Sequence, residues 1–225
     1  MRLRAEYLSG PDLKFLSALD RMRLMERSLR RAEIPFALSV GFNPHIKLSM
    51  GTVLPVGLWG GKEYMDVELS QAIKPGEFMD RLNHSLPKGM QINQAVVLTG
   101  SQPALMKIIN ACAYEMAWQS QRVSLEPVIA EIMSKPQLIV RSRGKKKNQE
   151  KDLRKGIYKV EWEAEGAIEY IRIWVSVGEP LNIRYDELID LFSEFGVPPE
   201  RLLDINRAGN YIYQNGDFIS PITQT

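Results

Sequence analysis

The spacing of apolar side chains along this chain changes period in an order that runs twice. Residues 2–9 alternate apolar and polar, the two-residue period of a strand. A helix is predicted over 12–33, where Leu16, Leu19, Met22, Met25, Leu29 and Ala32 recur at three- and four-residue steps as one core-facing stripe and Pro35 stops the pattern. Strands follow at 36–40, 46–54 and 64–69, the last alternating Tyr64, Asp66 and Glu68 with Met65, Val67 and Leu69. A helix at 76–86 and a strand at 91–99 complete the first half. The second half reads as a strand at 114–121, a helix at 125–134, a strand at 137–141, a hairpin of 157–163 and 168–177 about Glu165-Gly166, a helix at 185–195 and a strand at 203–213. No usable identity links the halves, so only the order of elements repeats. That order predicts an α+β chain of two tandem ferredoxin-like (split βαβ) domains with antiparallel sheets, 1–100 and 108–225, with 100–107 between them.

Two counts exclude most cofactor chemistry from this chain. Among its 225 residues there is one Cys and there are two His. A lone Cys112 forms no internal disulfide and holds no iron–sulfur cluster, which takes several thiolates. His45 and His84 with one thiol fall short of the four Cys/His ligands of an ordinary structural zinc site. No P-loop, G-x-G-x-x-G, G-x-S-x-G or H-E-x-x-H motif occurs. Arg2, Arg4 and Glu6 stand where a signal peptide has its apolar core, and no apolar run reaches the roughly 18 residues of a membrane span. The expectation is a cytoplasmic chain without a membrane partner.

The net charge of +2 conceals a strong asymmetry. Residues 141–159 hold nine Lys/Arg against two Asp/Glu, while 160–225 hold four against twelve. Such a distribution speaks to partners rather than to fold.

Three segments carry the candidate chemistry. Arg23, Arg27, Arg30 and Arg31 form a second stripe on the first helix, readable as a solvated face paired by Asp20 and Glu26 or as phosphate contacts, for which planar guanidinium groups are suited. Ser39-Val40-Gly41-Phe42-Asn43-Pro44-His45-Ile46-Lys47 is a turn-rich stretch in which Phe42 and His45 can meet a base and Lys47 a phosphate. Arg141, Arg143, Lys145, Lys146, Lys147, Lys151 and Arg154 belong to a polar segment that reads as a mobile loop with the electrostatic footprint of a polyanion binder. The residue set for nucleic acid is therefore these cations with Ser39, Gly41, Phe42 and Asn43, and His45 is the candidate catalytic residue. The 41–47 and 142–155 stretches each follow the second predicted strand of their half.

Phe15-Leu16-Ser17-Ala18-Leu19-Asp20, Arg23, Glu26-Arg27-Ser28-Leu29-Arg30-Arg31, Ile34-Pro35, Ser39, Gly41-Phe42-Asn43-Pro44-His45-Ile46-Lys47 and Leu54-Pro55-Val56-Gly57 together resemble a bacterial radical-SAM-linked protein family. The likeness is close over about residues 1–70 and looser beyond, resting there on Glu63-Tyr64-Met65-Asp66-Val67-Glu68-Leu69 and Asp152-Leu153-Arg154. Ala18 stands where the family usually has His, and Ile46 where it often has Pro. The resemblance implies association with a radical-SAM protein that carries the iron–sulfur cluster and S-adenosylmethionine, this chain holding neither. The expected function is an RNA-binding, substrate-presenting accessory protein in RNA modification, without catalytic activity of its own, whose ligand is RNA or another polyanion. A metal-independent endoribonuclease using His45 and an adaptor for the radical-SAM enzyme are the alternatives.

Overall fold

The computed structural model describes residues 1–121, 124–144 and 149–223. It divides into two compact units, Met1–Ile109 with Arg207–Thr225, and Asn110–Asn206. The first contains β1 (Arg2–Ser9), α1 (Ala18–Arg31), β2 (Leu48–Met50), β3 (Trp59–Glu68), α2 (Pro75–Ser85), β4 (Met90–Leu98) and α3 (Leu105–Ile108). The second contains β5 (Ala111–Gln119), α4 (Glu126–Ser134), β6 (Ile139–Arg141), β7 (Glu150–Asp152), β8 (Ile157–Glu165), β9 (Ile168–Ser176) and α5 (Tyr185–Glu194). The strand β10 (Leu202–Gln214) starts in the second unit and ends in the first, followed by β11 (Asp217–Ile219).

Each unit has the ferredoxin-like arrangement. In the first, β3 lies antiparallel between β1 and β2, and β1 lies antiparallel between β3 and β4, which is the split βαβ made twice. In the second, β9 lies antiparallel between β5 and β8. Where the domain boundary was expected between 100 and 108, the chain continues with the first unit to Ile109 and returns to it at Arg207. The return follows from packing, since Ile222 is buried with Leu105, Ile109 and Tyr64.

The predicted elements differ from the observed ones mainly at their ends. α1 starts at Ala18, because Ser17 accepts a hydrogen bond from the Asp20 N–H at 3.1 Å and caps the first turn, whereas Pro11–Leu13 forms a separate 3-10 turn. Residues 36–40 make only isolated bridges, Phe36 with Leu69 and Leu38 with Ile46. The 137–141 strand pairs with β7 in a two-stranded ribbon apart from the main sheet, and β8 fills the second-strand place.

The first unit buries both faces of its central strands, β1 and β3. On one, Leu3, Ala5, Tyr7, Met65 and Val67 pack with Met25 and Leu29 of α1 and with Phe78 and Leu82 of α2. The alternate residues of the same strands, Arg4, Glu6, Tyr64 and Asp66, are buried too, and all are polar. Arg4 holds Asp66 through two bonds, Nε to Oδ1 at 2.8 Å and Nη2 to Oδ2 at 3.0 Å. Its remaining donors reach the carbonyls of Pro103 at 3.2 Å and Pro221 at 3.1 Å, so this guanidinium ties the linker and the C-terminal tail onto the sheet. Beside it the Tyr64 hydroxyl donates to Glu6 at 2.7 Å and lies 3.2 Å from the Ser220 hydroxyl. Burial pushes the Tyr64 phenol well above its ordinary pKa, so it is a neutral hydrogen-bonding group throughout the usual pH range. A second buried arginine, Arg207, binds Glu63 at 2.7 and 2.6 Å and the carbonyls of Val53 and Thr52.

In the second unit Trp118 packs on Phe192 of α5, with ring centres 5.6 Å apart, and Cys112 is fully buried. Glu169 of β9 takes hydrogen bonds from the Leu125 amide at 2.8 Å, the Trp162 indole at 3.0 Å and the Ser124 hydroxyl at 3.1 Å, which fixes the start of α4. Burial by itself raises this carboxyl; those donors and the nearby Arg201 outweigh it and hold Glu169 below the usual carboxylate range. Among the described residues no helix is long and apolar enough to cross a membrane.

Asp66→Ala leaves the Arg4 charge buried without its carboxylate, a change that costs about 3–5 kcal/mol in comparable pairs. Urea unfolding of the two proteins measures this loss.

Candidate nucleic-acid interface

The helix α1 sorts its arginines by face. Arg21, Met25, Ser28 and Leu29 are buried, and Arg23, Arg27, Arg30 and Arg31 are exposed. Arg21 is structural: its guanidinium donates to the carbonyls of Leu54 at 2.8 Å and Leu58 at 3.2 Å, pinning the 54–58 loop under the helix. Arg31 donates to the Ser85 carbonyl at the end of α2 at 2.6 Å, while Arg81 of α2 donates to the Ala32 carbonyl at 3.0 Å and to that of Glu33. The two helices thus satisfy each other's last carbonyls. Arg23, Arg27 and Arg30 remain directed to solvent, and among the described residues none of the four stripe arginines is ion-paired with a carboxylate. Asp20 is held below the usual carboxylate range chiefly by the Ser17 hydroxyl, with the Arg23 and Arg27 charges adding to it.

The 39–47 segment is a hairpin projecting from the edge of the first unit. Its base is fixed by the Leu38–Ile46 bridge, by the Ser39 N–H to His45 carbonyl bond at 2.8 Å and by the His45 N–H to Ser39 hydroxyl bond at 3.0 Å. Lys47 closes the base through its N–H to the Ala37 carbonyl at 2.9 Å and pairs its ammonium with Glu68 at 2.8 Å. Gly41 has φ of +143°, a conformation costly for any other residue, and a Cβ there would meet nothing, so the requirement is backbone shape rather than space. Asn43 and His45 are exposed, and Val40 and Phe42 are 101% and 102% exposed. The Arg30 guanidinium lies 5.3 Å from the ring centre of Phe36, two residues before the Leu38–Ile46 bridge. The His45 ring makes no hydrogen bond among the described residues, which leaves it without the orienting partner that general bases ordinarily have.

In the second unit two of the described cations of the basic segment meet carboxylates of α5. Arg143 forms a two-pronged pair with Asp190 of α5, at 2.7 and 2.8 Å. Lys151 reaches the fully buried Glu187 at 2.5 Å and the Asn182 carbonyl. Arg154 contacts the Met133 sulfur at 3.4 Å. Arg141 is exposed at the end of β6, and Lys145, Lys146 and Lys147 lie outside the described residues. Asp152 accepts from the amides of Leu138 at 2.9 Å and Arg154 at 3.0 Å, and these bonds hold it below the usual carboxylate range. Sequence spacing does not distinguish these paired cations from free ones, because their carboxylates lie 36 and 47 residues away on α5. Among the described residues no group of three or more His, Cys, Asp and Glu side chains is placed to hold a metal ion.

Fold and surface together define a tandem ferredoxin-like α+β protein with a cationic helix face beside an exposed hairpin. The chain belongs to the DUF2344 family, described as an uncharacterized protein conserved in bacteria, whose model matches residues 2–184. No curated protein matches it. Among solved structures, a chain of a Cbf5-Nop10-Gar1 complex aligns with 92% of this chain at 14% identity and a TM-score of 0.50, a likeness of fold. This chain spans 47% of that one. An unknown protein from Galdieria sulphuraria aligns with 86% of this chain and 90% of its own at 17% identity and a TM-score of 0.26.

Two substitutions separate structural from surface cations. Lys151→Ala strands the buried Glu187 carboxylate and lowers unfolding free energy by about 3 kcal/mol, whereas Arg27→Ala leaves the urea midpoint unchanged. The stabilisation from Asp152 belongs to its ionised form and its folded pKa is depressed, so it is present above the unfolded value, about 3.9, and is lost as pH falls through the lower folded value. The stability gap between the wild type and Asp152→Asn accordingly closes on acidification, as a pH series of thermal unfolding measures.

Proposed function

We propose that this chain is an RNA-binding accessory protein that presents structured RNA to a radical-SAM partner. The observation that carries the reading is the solvent-facing run of Arg23, Arg27 and Arg30 on one helix, with no salt bridge to a carboxylate among the described residues and with Arg30 lying over Phe36, two residues before the Leu38–Ile46 bridge of the hairpin. Guanidinium groups held on a helix contact phosphate oxygens at small cost in side-chain ordering. Arg141 and Lys155 add exposed cations, while Arg31, Lys47, Arg143 and Lys151 act within the fold first. The radical-SAM partner comes from the family resemblance, and the cluster and S-adenosylmethionine are the partner's. The single buried Cys112 is compatible with that division of labour.

Filter binding of total bacterial RNA over a salt series tests the reading. Binding at low salt that weakens steeply with added salt is expected, and Arg23→Ala and Arg27→Ala each reduce the logarithmic salt slope by about 1. No binding at low salt, or binding without a salt slope, overturns it. Co-purification with the radical-SAM protein encoded beside a family member tests the second half, and its absence under crosslinking removes the partner.

A further inference from the structure

The hairpin carries an uncovered aromatic ring at its tip. Its legs are joined by the Leu38–Ile46 bridge and the paired Ser39 and His45 bonds, and Pro44 restricts the descending leg. At the tip Phe42 makes no use of its apolar surface within the fold, being 102% exposed, and Val40 at 101% stands two residues before it. A ring left wholly in water forgoes the burial that stabilises other phenylalanines here, Phe78 and Phe192 among them. Asn43 and His45, one and three residues after it, are exposed, and their side-chain donors and acceptors are unpartnered among the described residues. Below the tip, the Lys47 ammonium pairs with Glu68 and the Arg30 guanidinium lies on Phe36.

Resting on the RNA-binding reading above, we propose that this hairpin recognises unpaired bases, making the ligand class single-stranded or looped RNA rather than duplex. An aromatic face gains by stacking only on a base released from its own stack, and the A-form major groove is too narrow to admit a side chain to the base edges. In this mode Phe42 enters between or upon splayed bases, Asn43 and His45 meet base edges, and the α1 arginines hold the flanking phosphates. Duplex RNA offers the arginines the same phosphates but gives Phe42 nothing to stack on.

The test uses the full chain with a fluorescein-labelled RNA of about 12 nucleotides lacking self-complementarity, alone and annealed to its complement, read by anisotropy. The single strand is expected to bind more tightly than the duplex. Phe42→Ala weakens single-strand binding about tenfold or more and leaves duplex binding unchanged, while Phe42→Trp retains the preference and its indole fluorescence is quenched on binding. Because the side chain is fully exposed, these variants keep the wild-type thermal midpoint. Equal affinity for the two RNAs, or a Phe42→Ala protein that binds the single strand as before, overturns the inference while RNA binding stands. Loss of a protein partner with unchanged RNA affinity in that variant also overturns it and makes the tip a protein-docking element. No binding of either RNA at low salt takes down the RNA-binding reading itself.

Discussion

The first unit depends on one buried guanidinium. Arg4 is 1% exposed, and its donors are divided between Asp66 on the neighbouring strand and the carbonyls of Pro103 and Pro221. A charge in that position is tolerable only while each of these acceptors is in place, because an unpaired buried ion loses its hydration without replacement. The linker and the tail are therefore as much a part of this ferredoxin-like unit as its strands, and Ile222, Leu105 and Ile109 add apolar contact by packing with Tyr64. Arg207 repeats the device through Glu63 and the carbonyls of Thr52 and Val53, and so holds the 51–58 loop from the opposite side to Arg21 in sequence.

The two units solve the same topology with different chemistry. On the strand pair β1–β3 the facing residues Arg4 and Asp66 are sealed, and Tyr64 two residues earlier is buried beside them. On the corresponding pair β5–β9 the facing residues are Glu115 and Arg172, again bonded across the strands, with Tyr170 two residues earlier. There the side chains of the pair are partly open to solvent, at 26% and 46% exposure. An exposed pair contributes little to stability, whereas the sealed pair must be satisfied completely. The repeat is thus one of geometry, and the energetic weight of equivalent positions differs between units.

Arginine has three separate roles in this chain, and they bear directly on the functional surface. Arg4, Arg21 and Arg207 organise loops from within; Arg31 and Arg81 close helix ends; Arg23, Arg27 and Arg30 face solvent. The sequence stripe was legible because residues at three- and four-residue steps share a helix face. The 39–47 segment was legible as a turn from Gly41 and Asn43-Pro44, although its closure into a bridged hairpin depends on Ser39 and His45 meeting across it. Among the described cations of the 141–155 segment, Arg143 and Lys151 engage Asp190 and Glu187, pairings that a count of basic residues does not show.

The sequence by itself determined the α+β order, the two split βαβ patterns, the cationic helix face and the shortage of thiols and imidazoles, because each follows from local periodicity or from counting. Only the tertiary structure decided where 207–225 belongs, which cations are neutralised and which polar groups are buried. Those outcomes hang on partners far apart in the chain, 62 residues for Arg4 with Asp66, 144 for Arg207 with Glu63 and 217 for Arg4 with Pro221. Alternation along a strand shows that two side chains point the same way; whether that face meets water or a returning tail is settled by what packs upon it.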